Sequence, residues 1–483
     1  MSFISLKTKR SKSKTLDKKN LSDLGGNSDK YLSNSTLLGL NQGSNNQKNQ
    51  RVWIERYGCS ASMSDSEMIA GLLKKDGFKI STSEHDATVN IIVTCSVKDA
   101  TEHKMLYRIS QLSKSGNPLI VAGCLPKADR IKVESINPLA SLLGPNSIDR
   151  VSEVVSTAIS GKKEVALDYS LSDKVNLPRI RVNPIVSIVQ IGSGCMSQCS
   201  FCQTKLSKGH LRSYRIGDII RQVSSDVKDG CREVWLSSTD NGCYGKDIGS
   251  DLGKLLRSCC EVEGDFKIRV GMMNPMYIPH MADSLIDIFA NNDKILKFLH
   301  IPVQSGSDRI LGKMKRGHNA RLFQEVVNAF RKRIPEITIA TDIIVGYPSE
   351  TEQDFQKTLD LLTRTQPDIV NSSKYSARPG VLSAKDKGVN SLIVKTRTHC
   401  LDKLVEKISI ARNSLWNGWT GDIIIDEITN RFVQGRNYAY KPVVVASKAK
   451  LNPSCIFELG SKVKTKVFSF SRFALRGTLL NQD

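Results

Sequence analysis

Cys195-Met196-Ser197-Gln198-Cys199-Ser200-Phe201-Cys202 decides how the rest of the chain is read. Three thiolates separated by three and then two residues can close on three irons of a cubane cluster and leave the fourth iron without a protein ligand. Zinc is the competing reading, but structural zinc sites draw four ligands from paired short loops, and no fourth Cys or His follows at a matching distance. Three buried free cysteines are the remaining alternative. The apolar run from Ile185 to Gly192 leads directly into the loop and predicts a strand, so the thiols stand at a strand's carboxyl end. In barrels and open α/β sheets that end carries the active site.

The CxxxCxxC spacing with Phe201 before the last Cys resembles the radical S-adenosylmethionine (SAM) superfamily. The resemblance implies a [4Fe-4S] cluster whose open iron binds SAM and whose electron cleaves it to a deoxyadenosyl radical. The protein's part is then to hold cofactors and substrate in register.

A chain of 483 residues with 40% apolar residues is long enough for two or three domains with their own cores. It has no apolar run of membrane-spanning length, and no hydrophobic segment follows its Lys-rich start. The expectation is a soluble, cytoplasmic protein with no membrane partner; the pattern carries no oligomeric state. Twelve cysteines without a secretion signal favour metal or redox work over disulfides. Cys231, Cys243, Cys259, Cys260, Cys400 and Cys455 lie outside any motif and are expected to be packing residues. Cys243 is the exception to watch, because Asp240-Asn241-Gly242-Cys243-Tyr244-Gly245 follows a predicted strand. A formal charge of +22 implies a polyanionic partner, nucleic acid first, against the alternative of a generally basic surface.

Residues 1–50 are rich in Ser, Asn, Lys and Gly and carry Lys7, Lys9, Arg10, Lys12, Lys14, Lys18 and Lys19. They hold too few apolar residues to offset ordering entropy and are expected to be a disordered basic tail. From Arg51 the pattern changes to a small parallel α/β domain over 51–165. Strand Val52-Trp53-Ile54 precedes Cys59 and a helix from Asp65 to Lys75 with Ser64 or Asp65 as its N-cap. Strand Val89 to Thr94 precedes Cys95 and helix Lys98 to Ser113, and strand Leu119 to Ala122 precedes Gly123-Cys124. Parallel strands joined by right-handed crossovers end on one side, so the three thiols converge at one sheet edge and can hold a second cluster. Each taken singly reads equally as a core residue.

Tyr57-Gly58-Cys59-Ser60, Val93-Thr94-Cys95-Ser96-Val97 and Ala122-Gly123-Cys124-Leu125-Pro126 resemble, in order and context, the three N-terminal cysteine motifs of the radical SAM methylthiotransferases. The resemblance implies that Cys59, Cys95 and Cys124 hold an auxiliary [4Fe-4S] cluster carrying the sulfur to be inserted, while Cys195, Cys199 and Cys202 hold the radical SAM cluster.

A linker over 166–184 with Pro178 and Pro184 leads to the central domain, 185–417. Six strand-then-helix units are expected there, with strands Ile185 to Gly192, Glu233 to Ser238, Phe266 to Met273, Phe298 to Val303, Thr338 to Val345 and Ile369 to Tyr375. Six units are too few for a closed eight-stranded barrel, so a partial (β/α)6 barrel is predicted, open to a macromolecule on one side. Further family motifs sit at the strand ends: Ser237-Ser238-Thr239-Asp240, Ile301-Pro302-Val303-Gln304-Ser305-Gly306 and Asp342-Ile343-Ile344-Val345-Gly346-Tyr347-Pro348. They make Thr239, Asp240, Gln304, Ser305, Asp342 and Gly346 the candidate SAM contacts. One departure stands out: the family usually has two arginines before Pro-Gly-Thr, and this chain reads Ala377-Arg378-Pro379-Gly380-Val381.

A helix from Leu392 to Trp416, with Lys395, Arg397, Lys403, Lys407 and Arg412 expected on its exposed face, closes this domain. Residues 418–483 show short alternating strands, Asp422 to Glu427, Tyr440 to Val445 and Ser461 to Phe468, which predict a small antiparallel β-barrel. Gln434-Gly435-Arg436-Asn437-Tyr438 followed by Tyr440-Lys441-Pro442-Val443 resembles the TRAM domain, which implies RNA binding. Arg436 and Lys441 are the candidate phosphate contacts and Tyr438 or Tyr440 the stacking ring; a solvated barrel surface accounts for the same residues.

Arg269-Val270-Gly271-Met272-Met273-Asn274-Pro275 and Tyr244-Gly245-Lys246-Asp247-Ile248-Gly249 resemble the archaeal and eukaryotic branch acting on N6-threonylcarbamoyladenosine in tRNA; Met272 and Met273 read equally as core gap-fillers. The α/β multidomain chain is thus expected to insert a methylthio group at C2 of that nucleoside at position 37. The alternatives are methylthiolation of an isopentenylated adenosine or of a ribosomal protein, against which the basic charge and Met272-Met273-Asn274-Pro275 argue, and a non-catalytic metal-binding RNA-binding protein. Two [4Fe-4S] clusters, SAM, tRNA and an electron donor such as flavodoxin or ferredoxin are implied with it.

Overall fold

The computed structural model describes residues 49–96, 99–168, 173–429, 432–446 and 457–480; nearly all of the expected tail, and Cys455, lie outside them. The N-terminal domain is a six-stranded, all-parallel sheet. Its strands are β1 (Arg51–Arg56), β2 (Lys79–Ile80), β3 (Val89–Thr94), β4 (Leu119–Gly123), β5 (Ser141–Leu143) and β6 (Val165–Ala166), in the order β2-β1-β3-β4-β5-β6. Every residue of β3 is buried, as expected of a parallel strand covered on both faces. Helices α1 (Ser60–Lys75) and α5 (Val151–Ile159) cover one face. Helices α2 (Asp99–Leu112), α3 (Cys124–Ala128) and α4 (Arg130–Ile136) cover the other.

Helix α1 begins a turn earlier than its sequence pattern predicts, with Cys59 itself in the N-cap position and no side-chain cap. The physical reason lies in Ser64, Asp65, Ser66 and Glu67, whose polarity reads as a helix start but which are all buried. Ser64 Oγ donates to the Ile188 carbonyl at 3.0 Å, Asp65 accepts from Lys174 Nζ at 2.6 Å and Gln190 Nε2 at 2.7 Å, and Glu67 accepts from the Val182 amide at 3.0 Å. This polar face docks the N-terminal domain onto the next one. The segment expected to be a linker supplies part of the docking surface: Ala166 belongs to β6, and Lys174 and Val175 are buried.

The central domain holds the six expected parallel strands: β7 (Val186–Gln190), β10 (Glu233–Ser237), β11 (Lys267–Val270), β12 (Phe298–His300), β13 (Thr338–Val345) and β14 (Ile369–Lys374), with the short hairpin β8 (Gly192–Ser193) and β9 (Arg212–Ser213) after the first. They pair as β7-β10-β11 and β12-β13-β14. The halves meet at the parallel bridge Ile268 to Ile295 and at Met273 N–H, which donates to the His300 carbonyl at 2.9 Å. No pairing of β7 with β14 occurs among the described residues, so the barrel is open. Helix α6 (Thr204–Lys208) follows the cysteine loop. Helices α7 (Ile216–Lys228), α8 (Leu252–Glu261), α9 (Ala282–Asn291), α10 (Asp308–Lys313), α11 (Ala320–Arg333), α12 (Glu352–Thr365) and α13 (Ser391–Ser414) complete the domain. On α13 two of the five cations expected in solvent are held inward: Arg397 is buried against Glu350 and Glu352, and Arg412 Nε donates to Asp368 at 3.1 Å. A helical wheel marks these positions as basic but not the carboxylates packed beside them.

The C-terminal segment is a closed five-stranded barrel, β15 (Thr420–Ile428), β16 (Val433–Arg436), β17 (Pro442–Ala446), β18 (Lys462–Phe470) and β19 (Leu475–Leu479), in the order β15-β16-β17-β19-β18. It departs from the antiparallel expectation at one pair, because β17 and β19 run parallel. Among the described residues, no helix is long and apolar enough to cross a membrane.

Candidate active site

The three N-terminal thiols converge at the carboxyl edge of their sheet. Gly58, at φ +112°, makes this possible: a Cβ there would lie 2.3 Å from the Cys95 Cβ and 2.8 Å from its Sγ, so glycine alone lets the Cys59 loop approach Cys95. Hydrogen bonding from Cys95 holds the Cys59 thiol well below its ordinary range, with the Lys208 charge adding to the effect against burial. Burial pushes the Cys124 thiol up to about 11. Soft, clustered thiols at different stages of activation suit iron–sulfur ligation, and the close approach of the Cys59 loop to Cys95 that Gly58 permits fits such a group.

The radical motif lies at the end of β7. Gly194, at φ +73°, brings its Cα against the His210 carbonyl, where a Cβ would meet oxygen at 1.8 Å. Lys205 Nζ caps the Cys195 carbonyl, and the Ser197 amide donates to Cys195 Sγ at 3.3 Å. Arg316 Nη1 donates to Cys199 Sγ at 3.2 Å while Nη2 donates to the Pro302 carbonyl at 2.8 Å. Hydrogen bonding with Cys243 lowers the Cys195 thiol to about 7 against the opposing effect of burial, and burial raises Cys202. Cys243 is therefore a buried neighbour of the site; its Sγ donates to the Asp240 carbonyl at 3.2 Å.

Cys195, Cys199 and Cys202 open into one cavity of about 70 Å³ that is also lined by Ser197, Lys205, Thr239, Asp240, Met272, Asn274, Pro302, Gln304 and Arg316. Thr239 Oγ1 and Gln304 Oε1 are buried there without a hydrogen-bond partner among the described residues. Unpaired buried polar atoms beside three thiols fit a polar cofactor with a cluster, and they are the observation that favours SAM here.

Of the six candidate SAM contacts, the structure brings Thr239, Asp240 and Gln304 to this cavity. Asp240 is largely occupied in shaping it, since Oδ1 accepts from the Gly242 and Asn274 amides, each at 3.0 Å, and burial raises its carboxyl. The other three stand elsewhere. Ser305 Oγ accepts from the Ser307 amide at 3.2 Å, and Gly346 donates its N–H to Glu350 at 2.8 Å and packs against Val394; both shape loops. Asp342 accepts from Asn371 at 2.8 Å and pairs with His300 at 3.1 Å. Arg316 was not legible: a Lys315-Arg316-Gly317 turn reads as solvated charge, and only the fold returns it to Cys199. Met272 lines the cavity while Met273 is core.

The candidate RNA contacts have partners within the protein. Lys441 is buried, its Nζ 2.9 Å from Asp368 and 2.9 Å from Asn413. Arg436 pairs with Asp426 at 2.6 Å, and Tyr438 donates its hydroxyl to Glu336 at 2.8 Å. Tyr440 is buried with its ring 5.2 Å from the Arg269 guanidinium, which also lies over Trp235 and Phe298. Lys441, Tyr438 and Tyr440 fasten the small barrel to the central domain, while Arg436 is held within the barrel.

The elements that carry the two thiol sets touch where Ser60 Oγ, next to Cys59, lies 2.9 Å from Ser237 Oγ at the end of β10. Arg378, the arginine retained in the departed motif, pairs with Glu102 on α2 and so ties the last barrel loop to the N-terminal domain.

Comparison with known proteins agrees with this arrangement. The "Radical SAM superfamily" model matches residues 189–362 and the "Uncharacterized protein family UPF0004" model residues 51–144. A Pyrococcus horikoshii protein named a probable threonylcarbamoyladenosine tRNA methylthiotransferase is 40% identical over 78% of this chain and 88% of its own length. A protein of the same name from Archaeoglobus fulgidus is 41% identical over 82% and 92%. The Drosophila melanogaster threonylcarbamoyladenosine tRNA methylthiotransferase is 34% identical over 90% and 78%. Among solved structures, the Kitasatospora setae radical SAM methyltransferase TsrM shares the fold at a TM-score of 0.52, with 10% identity over 70% of this chain and 74% of that one. With both cysteine sites, the open barrel and relatives of this similarity, the chain belongs to the threonylcarbamoyladenosine tRNA methylthiotransferase family of radical SAM proteins.

Proposed function

We propose that this chain is a tRNA methylthiotransferase that replaces the C2 hydrogen of N6-threonylcarbamoyladenosine at position 37 with a methylthio group. The observation that carries the reading is that the elements bearing the two three-cysteine motifs touch, at Ser60 and Ser237 and at Ser207 and the Cys124 carbonyl. The C2–H bond offers neither an acidic proton nor a leaving group; a bound cluster with SAM supplies the carbon radical that such a bond requires.

In this reading Cys195, Cys199 and Cys202 are the ligands of the radical SAM cluster and Cys59, Cys95 and Cys124 those of an auxiliary [4Fe-4S] cluster. Thr239 and Gln304 offer their unpaired oxygens to SAM, and Arg316 holds the Cys199 sulfur in place. Ser60 and Ser237 keep the sulfur-bearing edge against the barrel mouth, which sets the distance over which sulfur must meet the nucleoside. The electron comes from a donor of the flavodoxin or ferredoxin class, and the protein works in the cytoplasm.

The tRNA backbone is assigned to β18. Lys462, Lys464, Lys466 and Phe468 alternate on its exposed face, with Phe468 59% exposed. A period-two row of cations ending in an exposed ring suits phosphate contact and base stacking.

The test is nucleoside mass spectrometry on tRNA from a host that makes threonylcarbamoyladenosine but not its methylthio form, with and without this chain. The expected result is a new nucleoside heavier by a methylthio group, absent with Cys199→Ala or Cys95→Ala. Unmodified tRNA with SAM cleavage intact in reconstituted protein would overturn the substrate and keep the radical chemistry. Colourless protein with stoichiometric zinc would instead make it a metal- and RNA-binding protein.

A further inference from the structure

Helix α6 joins the two thiol sites. Lys205, at its start, caps the Cys195 carbonyl of the radical loop. Ser207 Oγ donates to the Cys124 carbonyl at 3.0 Å. Lys208, at its end, is 5% exposed and sits in the electrostatic reach of Cys124, Asp65, Cys59 and Cys95. Among the described residues Lys208 makes no ion pair and its ammonium makes no hydrogen bond. The other buried cation nearby, Lys174, is neutralised by Asp65 at 2.6 Å.

A buried charge without a partner is strongly disfavoured, so the position of Lys208 requires a source of negative charge. The three thiols are that source once they are ionised by ligation. Three thiolates brought together repel one another and are costly to bury, and a cation held beside them by a short rigid helix offsets both effects.

We propose that Lys208 is a positioning residue of the three-thiol site: its charge compensates the sulfur ligands and favours the more negative, reduced state of the cluster they hold. The inference rests on the auxiliary-cluster reading above. The step concerned is the gain of one electron from the donor, with no bond or proton moved. Because the added charge falls close to a fixed ammonium, the site is easier to reduce than the same thiols without it.

The experiment uses the full chain with Cys195, Cys199 and Cys202 changed to Ala, so that only the three-thiol site loads iron, in an anaerobic redox titration followed by electron paramagnetic resonance. With Lys208→Met the midpoint moves to more negative potential, lowering the reduced-to-oxidised ratio at a fixed poise by about tenfold; Lys208→Arg restores it. Equal midpoints at equal iron content overturn the role of Lys208. Absence of iron in the parent overturns the auxiliary-cluster reading instead, and metal-free protein then decides the role of Lys208, as it does where Lys208→Met alone fails to load. Half-buried Cys59 is alkylated in that protein with anionic iodoacetate and neutral iodoacetamide, and the ratio of the two rates cancels the thiolate fraction. Lys208→Met is expected to lower the ratio several-fold, with fully buried Cys259 unreactive as the mark of an intact fold; an unchanged ratio overturns the proposal.

Discussion

Ser60 Oγ and Ser237 Oγ lie 2.9 Å apart, one beside the first N-terminal cysteine and the other at the end of the second barrel strand. This hydroxyl pair is one of the contacts that fix the register between the two chemical halves, beside the buried face of α1 and the Ser207–Cys124 hydrogen bond. Removing it with Ser237→Ala is expected to cost about 1 kcal/mol of stability. A displacement of about 1 Å at a reacting centre can cost on the order of 100-fold in rate, so methylthio product should fall more than tenfold while SAM cleavage without tRNA stays within about twofold. Parallel loss of both activities would show that Ser237 serves only the fold.

Asp65 and Lys174 form a buried pair, with Gln190 as a further donor to the carboxylate. Lys174→Met leaves that carboxylate uncompensated, and the expected destabilisation is about 3–5 kcal/mol. The double change Asp65→Asn with Lys174→Met should cost less than Lys174→Met alone, because no charge is then stranded. Urea unfolding of the metal-free protein measures both.

Glu67, 3% exposed, has its carboxyl raised to about 7 by burial, and its Oε2 lacks a hydrogen-bond partner among the described residues. The folded value lies above the ordinary 4.5, so the folded state binds the proton more tightly. Its contribution to stability is full below pH 4.5 and is lost as pH rises to about 7, a span worth about 3 kcal/mol. Glu67→Gln should flatten the stability profile between pH 5 and 7, as read by thermal unfolding across that range.

The exposed cations of β18 should bind tRNA through its phosphates. Lys464→Glu with Lys466→Glu is expected to weaken tRNA binding and to reduce the slope of log affinity against log salt by about one for each phosphate no longer neutralised. Lys441→Met should act differently, destabilising the barrel's attachment at Asp368. Filter binding at several salt concentrations, alongside limited proteolysis, separates the two effects.

The cysteine motifs were legible because cluster ligation demands particular residues at short spacings. The six barrel strands were legible from runs of apolar residues bounded by turns. The polar start of α1 misled, because Asp65 and Glu67 on paper resemble a first helical turn. Only the folded chain shows that they are the face on which two domains meet.

Local chemistry and periodicity, which act over a few residues, therefore determined the two thiol sets, the parallel α/β units and the small C-terminal barrel. The tertiary structure decided everything that depends on distant partners. It returned Arg316 to Cys199, held Lys441 against Asp368 and Arg397 against Glu350, and left Lys464, Lys466 and Phe468 exposed on β18. The reason is that a charged side chain carries the same letter whether it faces water or a buried carboxylate, and its partner lies tens of residues away in the chain.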